Sequence, residues 1–157
     1  MIVGITRVRN EELILRDTLA HYLARVGHVV LYDDASTDAT PEIAEGFDRV
    51  TVIRGTEWLA DRPAEETRHR ALLLGAARRM GAEWVLCFDA DERLEGELPD
   101  LSADGYRFRL FDGYMTEDCA EPYREGPLTA LPRMWGPEYR DILMLFRADR
   151  SRFVGID

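Results

Sequence analysis

The chain contains no lysine and no glutamine, and its only asparagine is Asn10. All twenty basic side chains are therefore arginine. A GC-rich coding sequence suffices to explain the bias, but any mechanism that requires a lysine is excluded. Two cysteines, Cys87 and Cys119, are too few for a disulfide framework. Cys87 lies in an apolar run and reads as a small core residue, whereas Cys119 stands in an acidic stretch without metal-ligand spacing. No apolar run approaches the roughly 20 residues of a membrane-spanning helix. The opening Met-Ile-Val-Gly-Ile-Thr lacks the basic region and cleavage site of a secretory signal. A cytoplasmic protein is expected, one still able to associate peripherally with a membrane.

What is present is ordinary for a folded domain. A length of 157 residues suits a single domain with one core. Apolar residues make up 46% and charged residues 32%, as in globular rather than disordered chains. The formal charge of −10 argues against a nucleic-acid partner, which needs a basic face. A local basic groove stays open through Arg68, Arg70, Arg78 and Arg79.

The hydrophobic pattern alternates strand with helix. Ile2 to Thr6 reads as a strand; Asn10 offers a helix N-cap with Glu11 and Glu12 in the first turn. Leu15, Leu19, Tyr22, Leu23 and Val26 recur at helical spacing until Gly27. His28 to Tyr32 and Arg49 to Arg54 read as strands around a short helix from Pro41 to Phe47. Pro63 opens a longer helix to Met80, with Leu73, Ala77 and Met80 on its apolar face. Glu83 to Phe88 is apolar on both faces, as a central strand would be. The expected fold is α/β, a mainly parallel, doubly wound, Rossmann-like sheet. After Leu94 come several prolines and many acids, with strands at Tyr106 to Phe111, Ile142 to Phe146 and Arg152 to Ile156. This part is expected to be an antiparallel C-terminal extension with long loops. Trp135, Tyr139 and the strand from Ile142 are read as core rather than as an interface, which leaves the oligomeric state open.

Ligands of open α/β sheets bind beyond the carboxyl ends of the strands. Three acidic features fall there: Thr6 to Glu11, Asp33-Asp34, and Asp89-Ala90-Asp91. Asp38, ahead of Thr40-Pro41, is read as capping a turn. Capping does not explain an Asp-x-Asp after an apolar strand beside a second acidic pair. A hard divalent ion, Mg²⁺ or Mn²⁺, would relieve the repulsion and bridge to substrate phosphates. Phospho-receiver domains need a late lysine, which is absent. Haloacid-dehalogenase-type phosphatases place their Asp-x-Asp after the first strand, not the fourth. Nucleotide-sugar transferases need a base-reading carboxylate, a metal-binding Asp-x-Asp and a cation near the diphosphate, and that set fits.

Arg9-Asn10-Glu11-Glu12, Asp33 to Thr40 (DDASTDAT) and Trp84 to Glu92 (WVLCFDADE) together resemble the family 2 glycosyltransferases, which share the GT-A fold. The closing stretch from Phe146 to Gly155 is weakly similar to bacterial members that modify cell-surface glycans. The resemblance implies that Asp33 accepts the N3–H of a uracil-type base, with Thr6 bordering the nucleoside. It places Arg9 and Glu11 near the nucleotide, with Glu11 by the base or ribose, and Asp34 at the ribose or as a turn cap. Asp91 would ligate Mn²⁺ or Mg²⁺ directly, and Asp89 would reach the ribose or a water on the metal. Arg70, or alternatively Arg68, would stand near the nucleotide.

Such enzymes invert the sugar's configuration, so a carboxylate must take the acceptor's proton. Glu117 and Asp118 resemble the family's acidic pair but follow Asp91 unusually closely; Asp112, Asp141 and Asp157 compete. One domain is expected over 1–157, with a nucleotide-sugar-binding half at 1–95 and a reduced or truncated acceptor half at 96–157. The acceptor, whether glycan, lipid, protein or small molecule, is left open. A non-catalytic nucleotide-sugar-binding module is the alternative, followed by a metal-dependent phosphatase or nucleotidyltransferase.

Overall fold

The computed structural model describes residues 1–58, 61–114, 128–130, 132 and 134–154. In chain order its elements are β1 (Ile2–Val8), α1 (Leu15–Leu23), β2 (His28–Asp33), α2 (Thr40–Glu45), β3 (Val50–Arg54), α3 (Arg62–Arg79), β4 (Trp84–Cys87), β5 (Gly105–Tyr114) and β6 (Met134–Arg147). The strands form one sheet in the order β3-β2-β1-β4-β6-β5. The first four neighbours run parallel. β6 pairs antiparallel with β4, and β5 closes the far edge as its hairpin partner. This is the GT-A-like, Rossmann-like architecture, with the antiparallel extension added on the β4 side.

Two apolar layers explain why the sheet forms. On one face Leu15, Leu19, Tyr22, Leu31, Leu86 and Phe88 pack beneath α1 and α2. On the other Val3, Ile5, Val30, Leu73, Ala77 and Val85 pack beneath α3. All four residues of β4 are buried because both layers meet on it. Removing the Leu86 side chain would cost about 2–5 kcal/mol, the usual range for a buried leucine.

Several boundaries differ from the sequence pattern for identifiable reasons. β1 runs on to Val8 because Arg7 and Val8 continue to pair with Tyr32 and Asp33. α1 begins at Leu15, not at Asn10. Asn10 has a positive φ of 55° and spends its polar groups elsewhere. Its Oδ1 accepts the Thr37 amide at 2.8 Å, and its own amide donates to Ser36 Oγ at 2.9 Å. The Glu11 and Glu12 amides donate to Thr40 Oγ1 and Asp38 Oδ2, while the Ala39 amide donates to Glu12 Oε2. The β1–α1 loop is thus stitched to the β2–α2 loop, and Asp38 caps as expected through the Thr40 amide at 3.0 Å.

α1 ends at Leu23, four residues short of Gly27, whose amide instead donates to Ile2 O. Met80 is 37% exposed and does not share the buried face of Leu73 and Ala77. β6 is one long strand from Met134, and Trp135 is 51% exposed rather than core; the Tyr139 side chain lies outside the described residues. Ser151 to Val154 form no strand. Arg78 of α3 donates to Ala148 O at 2.7 Å and Ser151 O at 2.5 Å, tying this segment to the helix instead of the sheet. Residues 155–157 lie outside the described residues. No described helix is long and apolar enough to cross a membrane.

Candidate active site

The strand order reverses between β1 and β4, so their carboxyl ends open a crevice at the sheet's switch point. β4 passes through Phe88 into a tight turn at Asp89-Ala90-Asp91. The Asp89 amide donates to Glu92 Oε2 at 2.9 Å, and the Glu92 amide returns to Asp89 O at 3.1 Å. Helix α1 fixes this turn from below. Thr18 Oγ1 donates to Ala90 O at 2.6 Å in a buried contact. Arg93 donates to Asp17 Oδ2 at 3.1 and 2.8 Å, and to the carbonyls of Ala90 and Glu92 at 2.9 and 2.7 Å. The Leu94 amide donates to His21 Nε2 at 3.1 Å, so that nitrogen carries no proton. Sequence reasoning missed all four of these positioning residues. Arg93 stands two residues after Asp91, but nothing in its spacing reveals a partner in α1.

Carboxylates crowd the rim. Burial, then the charges of Asp91, Asp38 and Asp89, hold the Glu11 carboxyl above its ordinary range. Burial raises Asp89 too; Arg70 opposes this, and Asp91 adds to it. Burial raises Glu92 as well, with Asp89 and Asp91 contributing while the Asp89 amide opposes. Arg70 is the cation facing this cluster, with Glu66 Oε1 at 2.9 Å and Asp89 Oδ1 at 3.5 Å. Its Nη1 also lies 3.3 Å from the Sγ of buried Cys87, whose thiol burial pushes up to about 11. Arg68 turns away to Glu65 at 2.5 Å, so of the two arginines only Arg70 reaches the crevice.

A crevice of about 450 Å³ is lined by Arg7, Val8, Arg9, Glu11, Trp58, Glu66, Arg70 and Asp89. Arg9 anchors one side, donating to Asp34 O at 2.8 Å while its guanidinium stacks 3.8 Å over the Trp58 ring. Asp33 is 3% exposed at the end of β2 and accepts the Ser36 amide only at 3.3 and 3.4 Å. Asp34 neither caps a turn nor opens to the crevice: its carboxylate pairs with Arg7 at 2.9 Å. The Thr6 side chain is buried, and its Oγ1 has no partner among the described residues. Asp91 belongs to a second, larger cavity of about 1090 Å³ beside the β5–β6 hairpin, and Asp89 lines both. Glu117, Asp118 and Asp157 lie outside the described residues.

Among the described residues, no three His, Cys, Asp or Glu side chains form a ready metal-holding group. The donors still suit a hard ion. Asp89 and Asp91 offer only oxygens, and their mutual repulsion rewards a cation. Mg²⁺ or Mn²⁺ commonly takes one or two carboxylates and completes its shell with phosphate and water.

The family model for glycosyl transferase family 2 matches residues 5–101. The chain belongs to this family. The matched segment contains both strand-end acidic motifs and the whole Asp89 turn, and it stops before the β5–β6 hairpin. No curated protein matches the chain significantly. Among solved structures, the mannosyltransferase PcManGT from Pyrobaculum calidifontis, determined with GDP-Man and Mn²⁺, is 25% identical, with a TM-score of 0.44. The match covers 60% of this family member but only 28% of that chain. A 4-diphosphocytidyl-2C-methyl-D-erythritol synthase is 14% identical, with a TM-score of 0.52 over 94% of this chain and 75% of its own. That likeness is one of fold. A synthase of the same name from Anaerococcus prevotii is 12% identical over 95% and 72%, with a TM-score of 0.44.

Proposed function

We propose that the chain is a cytoplasmic, metal-dependent, inverting glycosyltransferase that moves a sugar from a UDP-sugar or a similar donor to an acceptor. One observation carries the reading: Glu11, Asp89, Asp91 and Glu92 crowd one strand-end rim, faced by Arg70, in a chain whose family model spans that rim. Uncompensated carboxylates repel, whereas a divalent ion with a diphosphate balances them.

The proposed roles combine the family resemblance with the chemistry of each side chain. Asp33, held only by long contacts, keeps acceptor capacity for a base N–H. Arg9 and Glu11, which line the crevice, would border the nucleotide, and Thr6 the nucleoside. Arg70 exchanges its long contact with Asp89 for diphosphate oxygens. Asp91 and Asp89 would hold Mn²⁺ or Mg²⁺, which supplies Lewis-acid neutralisation of the departing diphosphate. Asp118, seconded by Glu117 and Asp157, is proposed to take the acceptor's proton. Asp141 is less suited, because Arg109 holds it at 2.6 Å.

Calorimetry with UDP, GDP and dTDP, with and without Mn²⁺, tests the donor site. Metal-dependent binding lost in Asp91→Ala is expected; binding that ignores the metal, or survives the substitution, would overturn the reading. Slow UDP-sugar hydrolysis that disappears in Asp91→Ala distinguishes an enzyme from a module that only binds.

A further inference from the structure

The larger cavity lies across Asp89 from the donor crevice, between Asp91 and the β5–β6 hairpin. Its walls mix aromatic rings, Phe111 and Trp135, with charged groups that include Arg109, Asp112 and Arg140. Both rings are unusually open, at 57% and 51% exposed.

The Trp135 ring nevertheless lies close against the backbone of the facing strand. A Cβ on Gly113, its cross-strand partner, would meet Pro132 Cγ at 2.7 Å and Trp135 Cζ3 at 3.1 Å. Gly136 pairs with Asp112, and a Cβ there would come within 2.8 Å of Cε2 of the diagonal neighbour Tyr114. Glycine weakens a strand, and here each glycine leaves room for a ring laid flat across the hairpin. The ladder also slips between Arg109 and Phe111, a bulge that re-aims the residues lining the cavity.

The geometry points to a saccharide site in this cavity, with Trp135 and Phe111 as ring platforms for the acceptor sugar. The π-face of an aromatic ring carries negative charge and attracts the slightly positive C–H bonds of a pyranose face. Sugar hydroxyls both donate and accept, so Asp112 keeps hydrogen-bond partners when water leaves, and Arg109, paired with Asp141, has further N–H groups to donate. A hydrocarbon chain would strip water from the Asp112 carboxylate on the cavity wall and return no hydrogen bond. A nucleic acid would bring its phosphates against Asp89, Asp91 and Asp112. This inference rests on the donor reading for its catalytic meaning, though not for binding.

Saturation-transfer NMR on the full chain, with methyl α- and β-glycosides of glucose, mannose and galactose as probes, tests it. At least one glycoside should receive saturation on one ring face. Its affinity should fall about tenfold in Trp135→Ala and in Phe111→Ala, and persist in Trp135→Phe. UDP affinity in the presence of Mn²⁺ should stay unchanged in all three variants. Both rings are exposed, and Trp135→Phe guards against a folding defect. No contact with any glycoside, or contact indifferent to Trp135→Ala, overturns the inference. So does dodecyl phosphate displacing the glycosides and losing affinity in Trp135→Ala, which would mark a lipid site. UDP binding without glycoside contact defeats this inference alone, whereas absent UDP binding in the wild type defeats the donor reading.

Discussion

Arg93 and Asp17 lie 76 residues apart in sequence, and their side chains meet at 2.8 Å beneath the Asp89 turn. Arg93 is almost wholly buried and Asp17 largely so, which makes the pair part of the site's foundation. Arg93→Ala also abandons two backbone carbonyls. It should cost about 3 kcal/mol, as expected when one partner of a buried pair is deleted. Urea denaturation would show the loss, and a decrease below about 1 kcal/mol would mean that solvent already screens the pair.

Arg70 and Arg68 offer a matched comparison on one helix. Arg70→Ala should weaken nucleoside diphosphate binding roughly ten- to a hundredfold, the range for a hydrogen bond to a charged group. Arg68→Ala should leave it unchanged, because that side chain is spent on Glu65. Titration of UDP with Mn²⁺ into both variants decides the matter, and equal effects would contradict the assignment.

All three histidines are depressed below their ordinary value of 6.5, in each case chiefly by burial. For His69, Arg68 and Arg7 push in the same direction, while Asp34 and Glu65 oppose. A base with a lowered folded pKa binds fewer protons folded than unfolded. Its stabilising contribution is complete above 6.5 and declines as pH falls toward the folded value, then levels off. His69→Phe keeps a ring on Tyr32, where the native centroids lie 3.8 Å apart, and removes the titration. The urea midpoint of the wild type should drop more steeply than that of His69→Phe between about pH 7 and pH 5. Proton NMR should show three histidine titrations, each below 6.5.

Asn10 is the linchpin of the stitched loops. Asn10→Ala loses the acceptor for the Thr37 amide and forces a side chain to remain at a φ of 55°. A loss of about 1–2 kcal/mol is expected in thermal or urea unfolding. Asn10→Gly relieves the backbone and should lose less; a reversed order would mean that the backbone carries no strain.

The parallel half was legible because burial on two faces writes itself into sequence as unbroken apolar runs, as in Trp84 to Cys87. The carboxyl ends of those strands then located the acids without a structure. Helix α1 was misplaced because Asn10 and Glu12, good capping residues, found partners 27 residues away instead of in the next turn. β6 was half missed because Gly136 and Pro137 interrupt any strand pattern, and the glycine serves the Tyr114 ring. Contacts such as Arg93–Asp17 and Arg7–Asp34 are products of topology, and no local spacing encodes them.

Asp89 is the common wall of two cavities, one of about 450 Å³ and one of about 1090 Å³. A single molecule joining a nucleoside diphosphate to a sugar ring could engage both at once. Its second contact would then be intramolecular, at an effective concentration of ~1 mM for a short flexible linker, and its affinity would far exceed that of either fragment.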